Sequence, residues 1–468
     1  MQNQDDSSGS FRDRLYTIDE SGKRLWVFAK KPKGKLTTAR NITGILLLVF
    51  LFSAPFIKVH GQQFLLFDFF HRTFVIFGVQ FWPQDFNLFF IGMIALMVFV
   101  ILFTVTYGRI WCGWACPQTI FMEVIFRRIE YWIDGDTHRQ KELNSAPWNA
   151  DKIFRRVLKH GIFYLISFII SNYFLMYIMS SDAWIKLVTE NPVNHVAGLT
   201  GMLVFSFIFY FIFSWFREQV CTIVCPYGRL QGVLLDRDTV VISYDYPRGE
   251  ERGVLRKSEN RAETRKGDCI DCGQCITVCP TGIDIRNGTQ LECINCACCI
   301  DACDDMMRRV GLKPHLIRYA SEKMIADKKH WHFTFRSGGY TIVLTVLLVA
   351  LGYFLVSRNP VEATVLRSPG MLFQEMEGGK ISNLYSVKVV NKTAHDLPLE
   401  IRLLSGRGEV KVIGNAPVIA RQSLGEVVFF LVMDKTALTG STTNVEFGVF
   451  SAGKKLDQTR ATFVGPEK

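Results

Sequence analysis

Over the first 360 positions apolar residues gather into long runs separated by basic stretches, and beyond Pro360 they alternate singly with polar ones. About 20 consecutive apolar residues, coiled as a helix, span the hydrocarbon core of a bilayer. Five runs approach that length, near Asn41 to Ile57, Phe86 to Tyr107, Gly161 to Ser180, Leu199 to Phe216 and Gly339 to Val356. Past Pro360 the period is two: Leu397, Leu399, Ile401 and Leu403 share one strand face, and Val445, Phe447 and Val449 share another. Glu426 to Val432 is nearly continuously apolar. Residues 360–468 therefore predict a small immunoglobulin-like sandwich, though without the Cys...Trp...Cys hallmark. Between the first two runs, His60 to Asp85 is aromatic without a clean span (Phe64-Leu65-Leu66-Phe67-Asp68-Phe69-Phe70). It is expected at the outer membrane interface, with a re-entrant sixth segment as the alternative.

Composition adds orientation. With 49% hydrophobic residues in 468, the chain is too apolar for one soluble core, and its net charge of +11 is explained by placement, with no need of nucleic acid. Lys and Arg crowd the flank before the first run (Lys23, Arg24, Lys30, Lys31, Lys33, Lys35, Arg40) and the loop after the second (Arg109, Arg127, Arg128, Lys152, Arg155, Arg156, Lys159). The loops after the first and third runs hold only Lys58 and Arg72, and Lys186. By the positive-inside rule the N-terminus faces inward, the long stretch between the fourth and fifth runs is cytoplasmic, and the C-terminal sandwich lies outside. Met1 to Arg40 shows no cleavable leader, so the first apolar run is expected to act as both targeting signal and anchor. The plan is a multi-domain integral membrane protein. Residues 1–40 form a basic cytoplasmic terminus, 41–235 a helical membrane domain, 236–338 a cytoplasmic insert with its core at 265–310, 339–357 a fifth span and 360–468 the outer domain.

The thirteen cysteines are uneven: two pairs beside apolar runs and nine between Cys269 and Cys303. The dense run reads Cys269-x-x-Cys272-x-x-Cys275-x-x-x-Cys279-Pro280, then Cys293-x-x-Cys296-x-x-Cys299-x-x-x-Cys303. This is the spacing of bacterial two-cluster ferredoxins, in which each fourth cysteine serves the other cluster. One 4Fe-4S cluster is expected on Cys269, Cys272, Cys275 and Cys303, and the second on Cys293, Cys296, Cys299 and Cys279. Zinc ribbons use paired C-x-x-C units instead. Asp304 stands where a proline usually follows the last cysteine, and Cys298 is a ninth thiol without a role. The acidic residues Asp268, Asp271, Asp284, Asp301, Asp304 and Asp305 surround the run and would lower its reduction potential, unless they are merely a solvated face.

The remaining cysteines repeat a motif. Arg109-x-x-Cys112-x-x-x-Cys116-Pro117 follows the second apolar run and Arg217-x-x-x-Cys221-x-x-x-Cys225-Pro226 follows the fourth, which marks an internal duplication of two helical hairpins. Thiols at i and i+4 share a helix face as far as the helix persists, and the proline tends to end it. Arg128 and Arg229, just beyond, are expected to favour the thiolates. If the hairpins pair about a pseudo-two-fold axis, all four sulfurs converge. Soft thiolates select Cu(I), zinc or iron-sulfur species, and the pairs can also cycle as dithiol and disulfide. His330-x-His332 reads as a metal pair or an interfacial anchor beside Trp331. No spans carry paired histidines for haem, and no Gly-rich nucleotide fingerprint occurs.

Two C-x-x-x-C-P hairpins, a two-cluster insert, a fifth span, a C-terminal sandwich and the stretch Phe81-Trp82-Pro83-Gln84-Asp85-Phe86 together resemble the CcoG/FixG/RdxA family. These are accessory proteins of cbb-type cytochrome c oxidase assembly in the bacterial inner membrane. The resemblance runs over essentially the whole chain. It implies reduction of Cu(II) to Cu(I) for the oxidase copper centre, with Cys112, Cys116, Cys221 and Cys225 as catalytic, copper-handling thiols. Oxidase subunits or assembly factors are the implied partners, with an electron donor the sequence does not name. A quinol-linked subunit of the NapH or NosR type and a scaffold with structural clusters are the alternatives.

Overall fold

The computed structural model describes residues 17–18, 21, 23–59, 61–69, 73–82, 85–256, 261–368, 372–376, 379–393, 395–405, 407–414, 417–421, 423–438 and 440–466. Most of the N-terminal 16 residues' expected basic tail, and His60, Phe70, Pro83 and Gln84 of the aromatic stretch, lie outside the described residues. Two compact units are present: one holds most of the chain up to Leu351, and the other runs mainly from Gly352 to the C-terminus.

Among the described residues five helical stretches are long and apolar enough to cross a membrane: Lys35–Phe56, Phe86–Tyr107, Ala150–Met179, Pro192–Phe216 and Phe335–Val356. Their principal helices are α1 (Lys35–Ser53), α2 (Phe86–Tyr107), α3 (Ala150–Met179) and α4 (Val196–Phe211). A short helix α5 (Cys298–Arg309) lies in the cysteine-rich insert, and α6 (Phe335–Val356) follows it. Apolar side chains such as Leu46, Leu96, Leu165, Phe207 and Ile342 on these helices are exposed.

Two helices begin earlier than their apolar runs suggest. α1 gains a polar turn because the carboxylate of Asp301 on α5 accepts the amides of Leu36 and Thr37 at 3.2 and 2.7 Å, capping it from a remote part of the chain. Gly34 precedes this cap, and a Cβ there would fall 2.1 Å from the Asp301 Cγ. α3 starts at Ala150, where the Asn149 side chain accepts the Lys152 amide at 2.9 Å. Its first turns are polar yet tied down: Lys159 meets Asp134 at 2.6 Å, and Arg155 donates to the Ile133 carbonyl at 2.7 Å. Asn149→Ala is expected to cost about 1 kcal/mol, read as faster amide exchange confined to the first turn of α3.

Within His60 to Asp85 the chain forms a hairpin of β1 (Leu65–Asp68) and β2 (Thr73–Ile76), so the re-entrant helix does not arise among the described residues. The β-branched and aromatic residues Phe67, Thr73, Phe74, Val75 and Ile76 favour this outcome. α3 and α4 pack through small residues, with the Ser171 and Ser206 hydroxyls 2.6 Å apart. An aromatic cluster of Phe121, Phe126, Phe163 and Phe213 fills the interior, Phe126 and Phe213 stacking at 4.6 Å.

In the second unit every strand pairs antiparallel. One sheet contains β5 (Val361–Arg367), β6 (Gln374–Met376), β7 (Lys380–Asn391), β9 (Gly408–Val412) and β10 (Ser423–Asp434), ordered β9-β10-β7-β5 with β6 also on β7. The other is β8 (Glu400–Leu403), β11 (Thr442–Ser451) and β12 (Lys454–Val464), ordered β8-β11-β12. The alternating residues meet in its core: Ile401, Val427, Phe429, Leu431, Val445, Phe447 and Val449 are buried. Tyr385, Phe429 and Phe447 fill the centre with ring centroids 5.1 to 5.6 Å apart, and the Tyr385 hydroxyl donates to the Thr462 carbonyl. An aromatic trio thus occupies the heart of a sandwich that has no disulfide to do so.

Candidate electron-transfer and metal site

The two cysteine runs fold alike. Asp271 and Asn295 take φ near 54° and 53°, and Gly273 and Ala297 near 64° and 65°, so equivalent positions curl each loop by the same left-handed steps. Asp and Asn tolerate this region better than most residues. Two cavities result. One, of about 350 Å³, is lined by Cys269, Cys272, Cys275 and Cys303. The other, of about 330 Å³, is lined by Cys279, Cys293, Cys296 and Cys299, with Cys275 on the shared wall. The strand β3 (Val241–Tyr244) pairs with β4 (Ile317–Ala320) over both, and its period of two sets Ile242 on one cavity and Tyr244 on the other. These are the four-cysteine groupings expected from spacing. Walled mainly by aliphatic side chains, with thiols as the clustered donors, they fit iron-sulfur cubes.

Asp304 explains the missing proline: α5 runs on through it to Arg309, carrying Cys299 to one cavity and Cys303 to the other. The surrounding carboxylates are not a free solvated face. Asp271 and Asp284 both hold Arg286, at 2.5 and 2.8 Å, Asp268 holds Arg248, Asp305 pairs with Arg309, and Asp301 caps α1.

The C-x-x-x-C-P pairs do not lie on single helix faces. Cys112 belongs to the turn Ile110–Trp114, but Cys116 is extended (φ −64°, ψ 125°), and Cys225 likewise (φ −67°, ψ 110°). A proline disfavours helical geometry in the residue before it, so each second thiol is swung off its helix. The two motifs nevertheless meet across the repeats, and the neighbouring Cys116, Cys112 and Cys225 thiols help to push Cys221 up. Among the described residues no three His, Cys, Asp or Glu side chains close around a single ion, whether at this quartet, at the two cysteine-lined cavities or at His330 and His332.

The cation serving these thiols is Arg109. It is buried, whereas Arg128 and Arg229 are exposed, because the chain reverses at Gly108 and turns Arg109 inward. Its Nε donates to the Gln231 side chain at 3.0 Å, and Gln231 also accepts the Cys112 thiol at 3.2 Å. Thus the first motif's arginine reaches into the second repeat. The second motif's Arg217 reciprocates, gripping Glu130 of the first repeat at 2.7 and 2.6 Å. Burial pushes the Cys112 thiol up, with Arg109 opposing, and raises Cys116 although the Thr119 and Gln118 amides face it. Burial and the neighbouring thiols push Cys221 up to about 12. A metal captured here must displace protons, so affinity for it falls as pH falls. In metal-free protein, Cys221 is expected to resist iodoacetamide at pH 8 by at least about a hundredfold relative to unfolded chain, as mass spectrometry of the labelled peptide would show.

The first motif packs directly against the second cavity's loop. Cys112 packs with Val278, Ile294, Cys296 and Cys298 in one buried cluster. Between the two thiols, Trp114 donates to the Asn295 carbonyl at 3.3 Å and to the Tyr319 hydroxyl at 3.1 Å. Spacing alone missed Gly113, Trp114 and Tyr319. The available signal was the contrast between Cys112-Gly-Trp-Ala-Cys116 and Cys221-Thr-Ile-Val-Cys225, since a glycine and an indole inside a motif suit close docking. Cys221 lines a pocket with Glu123, Arg127, Arg217 and Glu218 that shares Pro280, Thr281 and Ile294 with the wall of the second cavity.

Comparison with known proteins now decides the family. The chain is 32% identical over 409 residues to protein RdxA of Cereibacter sphaeroides, covering 84% of this chain and 85% of RdxA. It is 33% identical over 409 residues to the nitrogen fixation protein FixG of Rhizobium meliloti, covering 79% and 77%. This chain belongs to the CcoG/FixG/RdxA family. Protein RdxB of C. sphaeroides matches at 32% over 413 residues, covering 82% and 83%. Family models agree region by region: a 4Fe-4S dicluster domain over 216–322, an IG-like fold at the C-terminal of FixG over 351–466, and a 4Fe-4S binding domain over 89–139. A crystal structure of a FixG-related protein from Vibrio parahaemolyticus is 20% identical, covering 22% of this chain and 95% of that one, at a TM-score of 0.20. As a FixG/RdxA protein the chain is an iron-sulfur electron-transfer protein. The match over 89–139 includes Cys112 and Cys116, which extends iron-sulfur family character to the first motif.

Proposed function

We propose that this protein is an inner-membrane relay whose clusters pass single electrons to the thiol quartet, where Cu(II) is reduced to Cu(I) for the copper centre of a cbb-type oxidase. Cys269, Cys272, Cys275 and Cys303 hold the first cluster, and Cys293, Cys296, Cys299 and Cys279 the second. The observation that carries the reading is the wall of Cys112, Ile294, Cys296 and Cys298, which sets a quartet thiol against a loop of the second cavity. A 4Fe-4S cube, when bound, exchanges one electron, and one electron is what Cu(II) needs. The chain's part is to fix the distance, exclude water and present soft sulfur that favours Cu(I). Arg109 and Gln231 orient Cys112. The five helices cross the bilayer, the N-terminus and cluster region face the cytoplasm, and the sandwich faces the periplasm, available to oxidase subunits or assembly factors.

Purified full-length protein with dithionite-reduced clusters is expected to yield Cu(I), trapped by a Cu(I)-specific chelator. Replacing Cys112, Cys116, Cys221 and Cys225 together with Ser should abolish this while about eight irons per chain remain. Undiminished reduction by that variant removes copper from the quartet. The family match over 89–139 favours a second reading, an iron-sulfur group on the quartet itself, and about twelve irons per chain, falling to about eight in the variant, would establish it.

A further inference from the structure

Cys298 has no part in the eight-ligand assignment, and Arg40 has none in the thiol quartet. Both lie against the second cavity. Cys298 stands where the first run has Gln274, is 1% exposed, and packs with Cys296 in one buried cluster. Arg40, on the first turns of α1 and 4% exposed, points its Nη1 at the Cys296 carbonyl from 3.5 Å. Its ion-pair partner, Glu123, is 3.8 Å away and is shared with Arg127 at 3.3 Å. The Arg40 Nε is buried without a hydrogen-bond partner.

The first cavity has a guanidinium contact of its own, Arg261 Nη1 donating to the Cys269 carbonyl at 3.3 Å. Its lining cation, Arg286, is matched by two carboxylates, Asp271 and Asp284, and Asp304 follows Cys303 directly. Its Cys272 is exposed, whereas Cys296 and Cys299 are buried. A cluster gains negative charge on reduction, so nearby positive charge and donors to its sulfurs favour the reduced form. Exposure at Cys272 helps the first cluster in the same sense, but buried charge is screened far less than charge facing water.

We infer that Arg40 and the Cys298 thiol raise the reduction potential of the second cluster and so make it the electron-accepting end of the pair, beside Cys112. The inference rests on the ligand assignment above. One electron leaves the first cluster and one arrives at the second, with no bond or proton changing place. The mode of docking supports the assignment of roles: Asp301, between Cys299 and Cys303 on α5, caps α1 and so fixes Arg40 one turn further along.

The test is an EPR-monitored redox titration of the full-length detergent-purified protein, with Cys272→Ser marking which signal belongs to the first cluster. Arg40→Gln should make reduction of the other signal at least about tenfold less favourable, ~59 mV for one electron, and leave the first unmoved. Arg40→Lys should restore most of it. Cys298→Ala should shift the same signal downward by a smaller amount, and Cys298→Ser should retain more of the native value. Cys298→Ala replaces a small buried side chain with another, so its result stands even if the Arg40 variants fail to accumulate. Equal shifts in both signals, or none in Cys298→Ala and Arg40→Gln, overturn the inference. Fewer than about eight irons, or a missing second signal in the unaltered protein, would instead refute the ligand assignment.

Discussion

Arg217→Leu is expected to destabilise the membrane unit by about 3–5 kcal/mol, the cost of leaving one half of a buried ion pair behind. Arg217 clasps both Glu130 oxygens at 2.7 and 2.6 Å, and the two side chains are each 7% exposed. Burial would raise the Glu130 carboxyl, but Arg217, with Lys159 and Arg127, holds it below its ordinary value. Without Arg217 that carboxylate keeps Lys159, at 3.8 Å, and the more remote charge of Arg127. Glu130→Leu alone should be comparably damaging, whereas Glu130→Leu with Arg217→Leu should recover much of the loss, since apolar pairs of similar volume often replace buried ion pairs at little cost. Thermal unfolding of the solubilised protein gives the comparison. A double variant no more stable than either single one would show that the pair acts through its wider network of Arg24, Glu218 and Lys159.

Gly113→Ala should leave both clusters assembled yet slow electron delivery to copper by about a hundredfold, the scale of loss seen for displacements near 1 Å at reacting groups. A Cβ there would lie 2.4 Å from the Ile294 carbonyl oxygen and 3.0 Å from the Cys296 Cα and nitrogen. All three are backbone atoms of the second cluster's loop, so no side-chain rotation relieves the overlap. Single-turnover transfer from reduced clusters to Cu(II), followed optically, separates this from cluster loss. Gly161→Ala is the matched control, because nothing lies within 4 Å of its added carbon. Equal rates in both variants would mean the first motif is not the exit.

What was legible in the sequence followed strong local rules. Eight cysteines at ferredoxin spacing imply two four-sulfur groupings whatever surrounds them, and the cavities bring those groupings together. Alternation at Val445, Phe447 and Val449 placed all three in the sandwich core. Non-local effects were not legible. The start of α1 depends on a carboxylate supplied by another helix, and that of α3 on polar residues whose partners lie elsewhere in the fold. Arg128 and Arg229 were reasonable choices by proximity to the thiols in sequence, but a backbone reversal at Gly108 hands that role to Arg109. Helical i, i+4 reasoning failed at Cys116 and Cys225 because the proline that marks the motif also unwinds the residue before it.

The Asp301 cap also bears on how the protein is made. The amides of Leu36 and Thr37 emerge from the ribosome early, and their acceptor lies 265 and 264 residues further along the chain. Throughout synthesis the first long apolar helix has an unfinished end. It is completed only when α5, the helix that brings Cys299 and Cys303 to their separate cavities, is in position. Iron supply is thereby tied to the maturation of the first long apolar helix, and a chain starved of clusters would present a frayed helix end for a protease to recognise.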